Sequence, residues 1–140
     1  MDRAKVTVLA IFLGTLYAYL SVYITGIGAA ISIPASILTP VAKAYPIFAF
    51  GIVDLITIGL PLIVVYFLFA LMVKYFNSSK SYFPYMALLI PFYVISFYSL
   101  ATIEQSQDWA YTLGKITPRY IATIAFAIYF VKQTISQKKA

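Results

Sequence analysis

The chain contains 140 residues, of which 63% are hydrophobic, 18% are aromatic and only 10% are charged. Soluble domains are roughly half apolar and about a quarter charged, so this composition excludes an ordinary water-soluble globule. The absence of cysteine and histidine excludes disulfide frameworks, thiol redox chemistry, histidine general bases and the usual zinc and haem sites. The formal net charge of +6 suits an anionic membrane surface.

Four stretches of the chain are candidates for helices that cross a bilayer, which requires about 20 mainly apolar residues. They lie at about residues 6–26, 47–74, 82–103 and 116–132. The joining segments are short, and the chain leaves no room for a second domain. The sequence therefore predicts an all-α integral membrane protein, in which residues 1–140 form one antiparallel bundle of four transmembrane helices.

The first span carries small residues at helical spacing. Ala10, Gly14 and Ala18 follow one another at intervals of four, which places them on one face of a helix. Helices associate in lipid mainly through close packing of small residues. We therefore expect a helix-packing groove here, for another helix of the chain or for a second copy.

A cleavable signal peptide is an alternative interpretation of the same region. Arg3 and Lys5 resemble the basic start of such a peptide, and Gly26 to Gly28 offers small residues for cleavage. However, the apolar core of about 20 residues exceeds the usual 7–15 residues. A retained transmembrane helix is the better prediction.

The segment from Gly28 to Pro46 is too apolar to extend freely into water. Pro34 and Pro40 interrupt it, and Lys43 is a candidate contact for an anionic ligand or partner. Irregular backbone survives at membrane depth only where protein or cavity water satisfies it. The sequence leaves two possibilities open, an interfacial helix and a re-entrant segment.

The distribution of lysine and arginine predicts the orientation, because cytoplasmic loops collect positive residues. Four spans place seven cations on one side and three on the other, whereas a fifth span in the first loop would divide them five against five. The asymmetric arrangement favours four spans with both termini cytoplasmic, in the inner or plasma membrane. The predicted cytoplasmic cations are Arg3, Lys5, Lys74, Lys80, Lys132, Lys138 and Lys139.

Asp54 and Arg119 are the charged residues that lie well inside predicted spans. A charge at membrane depth costs several kcal/mol unless it is paired or hydrated. Both residues lie within about two turns of the outer end of their spans, so we predict that they form an ion pair. The pair would either fix which helices are neighbours or take part in moving a proton or cation.

The outer loop before the fourth span supplies weaker candidates. Glu104, Asp108 and Trp109 are candidate contacts for a ligand or partner. Two carboxylates four residues apart fall short of the six or more oxygens that calcium requires, so no metal site is predicted.

Tyrosines and prolines inside the spans predict features of the bundle interior. Tyr17, Tyr66, Tyr93 and Tyr98 lie deep in predicted spans, where their hydroxyl groups need hydrogen-bond partners. Prolines 61 and 91 occupy mid-span positions and should kink their helices.

The sequence contains no motif that identifies a reaction, so no catalytic residue and no cofactor are expected. It favours a non-enzymatic protein that acts by interaction within the bilayer, either an accessory subunit of a membrane complex or an immunity-type protein. The expected partners are membrane lipids, including anionic headgroups, and another membrane protein or a second copy, but not nucleic acid. The alternative is an oligomeric channel or transporter protomer that uses Asp54 and Arg119. A lipid-modifying membrane enzyme ranks third.

Overall fold

The computed structural model describes residues 2–31, 33–77, 81–102 and 109–137. Within these ranges the chain is 91% helical and contains no strand. The elements are α1 (Arg3–Ala30), α2 (Ala35–Ala44), α3 (Pro46–Asp54), a π-helical segment (Leu55–Gly59), α4 (Leu60–Phe76), α5 (Phe83–Ala87), α6 (Ile90–Ala101) and α7 (Trp109–Gln137).

In the described part of the chain, three helical stretches are long and apolar enough to cross a membrane. They are Arg3–Ala30, Pro46–Phe76 and Phe83–Ala101. Helix α7 is equally long, with 29 residues, but it does not belong to this group. It contains three cations, Lys115, Arg119 and Lys132, which lower its mean hydropathy.

The observed helices extend beyond most of the predicted spans. Helix α7 begins at Trp109, seven residues before the predicted start of its span at 116. The expectation that the outer loop before the fourth span continues to Lys115 was therefore wrong. The physical reason is that apolar character marks only the part of a helix that suits lipid, whereas the backbone hydrogen bonds of α7 continue through polar residues.

Contacts between helices give their relative directions. The Tyr17 hydroxyl donates to the Leu62 carbonyl oxygen at 3.3 Å, and Gly28 lies against Ile58, so α1 runs antiparallel to α3–α4. Tyr17 also contacts Phe92, whereas the earlier residue Gly14 contacts Leu88, so α1 runs parallel to α5–α6.

Helix α7 also follows the pattern in which successive long helical stretches run in opposite directions. Asp54 contacts Arg119 and Phe67 contacts Phe130, so α3–α4 and α7 run parallel. The N-terminal end of α1, the turn before α5 and the C-terminal end of α7 therefore lie at one end of the bundle. The opposite end holds α2 and the start of α7, and we call it the α2 end.

The predicted packing groove on α1 is occupied within the chain. Ala10, Gly14 and Ala18 are buried, and a Cβ atom at Gly14 would fall on the carbonyl oxygen of Leu88. The missing side chain thus lets α1 approach the backbone between α5 and α6, as expected for helices that pack in lipid.

Aromatic side chains fill the middle of the bundle. Tyr17 and Tyr66 are fully buried, and their rings contact each other with centroids 6.2 Å apart. The Tyr66 hydroxyl reaches the Tyr85 carbonyl oxygen at 3.5 Å, and Tyr93 donates to the Tyr120 carbonyl oxygen at 3.2 Å. The expectation for Tyr98 was wrong, because its side chain is 73% exposed on the outer face of α6.

Both mid-span prolines coincide with a change of helical geometry. Pro61 follows the π-helical segment, and Pro91 follows the turn that separates α5 from α6. Each proline lacks the N–H group that a regular helix would bond to an earlier carbonyl oxygen, and the local change of geometry accommodates that loss.

Candidate functional site: a polar cavity beside a buried ion pair

The structure brings Asp54 and Arg119 together across the interface of α3 and α7. Nη1 of Arg119 lies 3.1 Å from Oδ1 of Asp54, and the side chains are only 11% and 2% exposed. An ion pair at this burial has lost most of its hydration, so either residue alone would be costly to bury. The pair consequently fixes the register of α7 against α3.

The local backbone allows this close approach. A Cβ atom at Gly59 would lie 3.1 Å from Cβ of Arg119, which is tighter than an ordinary van der Waals contact. Asp54 ends α3 immediately before the π-helical segment, in which the Leu60 N–H donates to the Leu55 carbonyl oxygen. π-helical turns inside α-helices are rare and frequently occur at functional sites.

The ion pair leaves hydrogen-bonding capacity unused. Arg119 extends Nη2 to within 3.5 Å of the Tyr120 hydroxyl, and its guanidinium lies 5.1 Å from the centre of the Tyr120 ring. Among the described residues, Oδ2 of Asp54 and Nε of Arg119 are buried without a hydrogen-bond partner. Buried polar groups are normally satisfied, so these two atoms leave the ion pair only partly hydrogen-bonded within the described residues.

Arg119 lines a cavity of about 240 Å³ in the half of the bundle towards the α2 end. Leu62 and Phe92 form its apolar floor. The polar side chains that line the cavity come from three helices and are Ser21, Thr25, Ser96, Ser99, Thr112, Arg119 and Tyr120.

The hydroxyl groups around the cavity differ in their availability. Ser21 donates to the Ala18 carbonyl oxygen at 2.6 Å, and Thr25 donates to the Ser21 carbonyl oxygen at 2.8 Å. On the opposite wall, the structure as described gives no hydrogen bond to the hydroxyl groups of Ser96, Ser99 and Thr112. The wall formed by α6 and α7 therefore carries hydroxyl donors that are available to a ligand.

An apolar groove of about 220 Å³ lies next to the polar cavity, between α6 and α7. Ser96, Leu100, Ile116 and Tyr120 line both spaces. Phe97, which is 65% exposed, lines the groove. A polar cavity and an apolar groove thus adjoin at these four residues.

Two of the remaining predicted contact residues, Lys43 and Trp109, are described by the structure and do not line this cavity. Lys43 is exposed in the last turn of α2, a helix that packs on α3. Trp109 is the first residue of α7 and is 39% exposed. Glu104 and Asp108 lie outside the described residues.

Sequence reasoning identified the ion pair but missed the α6 and α7 walls of the cavity. The signal that was available is hydroxyl residues at helical spacing, with Ser96 and Ser99 three apart and Thr112 seven before Arg119. That signal is weak, because serine and threonine in membrane helices often bond to their own backbone. The chain matches no protein-family model, and no curated protein and no solved structure shows significant similarity to it.

Proposed function

We propose that the chain crosses the inner or plasma membrane four times, with both termini cytoplasmic and the α2 end outside. The alternating directions of the four long helical stretches support this topology. The excess of lysine and arginine at the opposite end of the bundle agrees with the positive-inside rule. Because Arg119 is paired with Asp54, its charge opposes insertion of α7 less than an isolated arginine would.

Within this topology, the protein acts by interaction inside the bilayer and not as an enzyme, as an accessory subunit or immunity-type protein. The observation that carries this function is the polar cavity that Arg119 lines together with the hydroxyl groups of Ser96, Ser99 and Thr112. Polar groups on a cavity wall form their remaining hydrogen bonds when a group from outside the bundle enters the cavity.

Photo-crosslinking in native membranes tests this function. A photoreactive phenylalanine analogue in place of Phe97, which lines the groove and is of similar size, should capture a membrane component in high yield. The same group at Thr15, which is exposed on α1 and lines none of these spaces, provides the control for random collisions. Identical products at both positions would contradict the proposal.

The alternative function is an oligomeric channel or transporter protomer. The unpartnered Oδ2 atom of Asp54, next to a π-helical segment, is the observation that favours it. Asp54→Asn would then abolish ion or proton flux in proteoliposomes while the protein still folds. The interaction proposal predicts instead that neither the unmodified protein nor the Asp54→Asn variant supports flux of ions or protons.

A further inference from the structure

We propose that the cavity and the groove together bind one anionic membrane lipid, with its headgroup beside Arg119 and an acyl chain between α6 and α7. This inference rests on the proposed function and specifies the chemistry of the partner. It differs from contact between basic chain ends and the membrane surface, because the site lies in the interior of the bundle.

The polarity of the two spaces matches the two parts of such a lipid. The cavity offers the guanidinium group of Arg119 and the hydroxyl groups of Ser96 and Thr112, which are hydrogen-bond donors suited to phosphate oxygens. The adjoining groove is lined almost wholly by apolar side chains, among them Phe97 and Ile121.

Charge favours an anionic headgroup over a zwitterionic one. Asp54 balances one cation, and Lys115, which lies four residues before Arg119 on α7 but lines neither space, adds a second positive charge. The three side chains together have a net charge of +1, which favours an anionic phosphate diester beside Arg119. Desolvation makes such a charge-assisted contact stronger than it would be in water.

The position of the groove beside the cavity favours a lipid over a free anion. A soluble phosphate ester would use only the polar cavity and would leave the adjoining apolar groove empty. A lipid would fill both spaces, and the exposed Phe97 places the groove at the surface of the bundle, which a lipid can reach from the membrane plane.

The test is native mass spectrometry of the purified full-length protein in detergent, with three added probes. They are phosphatidylglycerol, phosphatidylcholine and glycerol 3-phosphate. We expect retained adducts with phosphatidylglycerol, with affinity about tenfold weaker for phosphatidylcholine and no retained glycerol phosphate. Equal binding of the two lipids, or retention of glycerol phosphate alone, would overturn the inference.

Variants locate the binding site. Ser96→Phe fills the junction of the two spaces and should remove the phosphatidylglycerol adduct, whereas Thr15→Phe on the surface of α1 should leave it unchanged. Arg119→Lys keeps a cation for Asp54 but removes the guanidinium donors, so the preference for phosphatidylglycerol should fall about tenfold. Unchanged binding in both cavity variants would place the lipid elsewhere and refute the proposal.

The two proposals fail in distinguishable ways. If photo-crosslinking at Phe97 captures a protein and mass spectrometry detects no lipid, interaction within the bilayer stands and the lipid inference fails. If the crosslinker at Phe97 captures nothing beyond the Thr15 control, both fail.

Discussion

Asp54 and Arg119 meet through a single hydrogen-bonded contact of 3.1 Å, so one carboxylate oxygen and one guanidinium N–H of a buried pair remain without a partner among the described residues. This geometry separates two properties of the pair. The contact that is made holds α3 and α7 in register. Arg119 also lines the neighbouring cavity, so the same guanidinium group that completes the pair gives the cavity a positive charge.

The structural part of this role predicts a non-additive effect on stability. Arg119→Gln strands a buried carboxylate and should lower the free energy of unfolding by about 3–5 kcal/mol. Adding Asp54→Asn should recover part of that loss, because the double variant buries no charge. Thermal unfolding in detergent measures both. Asp2→Asn serves as control, since the exposed Asp2–Lys5 pair at 3.7 Å should contribute less than about 1 kcal/mol. A double variant no more stable than Arg119→Gln would show that the pair is not coupled.

The approach of α1 to the α5–α6 turn predicts a steric effect at Gly14. Gly14→Ala places a methyl group on the Leu88 carbonyl oxygen and should destabilise the bundle by about 1–3 kcal/mol, the usual range for overpacking. Gly26→Ala, in the same helix, is the matched control because a Cβ atom there meets nothing within 4 Å. The difference in thermal midpoint between the two variants measures the effect. Equal midpoints would mean that α1 can move away from α6 at no cost.

The sequence was sufficient to predict Asp54 and Arg119 as a pair because charges inside apolar spans have few partners to choose from. The same reasoning could not find the cavity. A serine or threonine in a helix can bond to its own backbone, as Thr25 does, or face a ligand, and the sequence looks the same in both cases. Only the three-dimensional arrangement of the helices distinguishes Ser96, which lines both spaces, from Thr25, which donates to its own helix.

Hydropathy also predicted the presence of the long helices better than the residues at which they end or the side chains that they bury. The turn before α6 and the π-helical segment before α4 follow from Pro91 and Pro61, whose missing N–H groups were visible in the sequence. The sequence does not reveal that Tyr98 is exposed, because the hydropathy of a tyrosine at membrane depth is the same whether it faces lipid or protein. Its neighbour Tyr93, five residues earlier, points inward to the Tyr120 carbonyl oxygen.

The buried tyrosines predict a difference between otherwise identical substitutions. Tyr17→Phe removes the hydroxyl that donates to the Leu62 carbonyl oxygen and should cost about 1 kcal/mol of stability. Tyr98→Phe removes a hydroxyl from the exposed face of α6 and should change stability little. Thermal unfolding of the two variants in the same detergent provides the comparison. A larger loss at Tyr98 would mean that the outer face of α6 is buried in an assembly.

The proposed topology predicts which positions a membrane-impermeant thiol reagent reaches. The chain contains no cysteine, so a single introduced cysteine reports one position without background. In intact cells, Lys43→Cys at the α2 end should react, whereas Ser81→Cys, in the turn before α5, should react only after the membrane is opened. Both positions lie outside the long helices, which limits the effect of substitution on folding. Reaction of both cysteines in intact cells would require a different number of crossings. Reaction of Ser81→Cys alone would show that the bundle has the opposite orientation in the membrane. The polar cavity would then bind a lipid from the cytoplasmic leaflet.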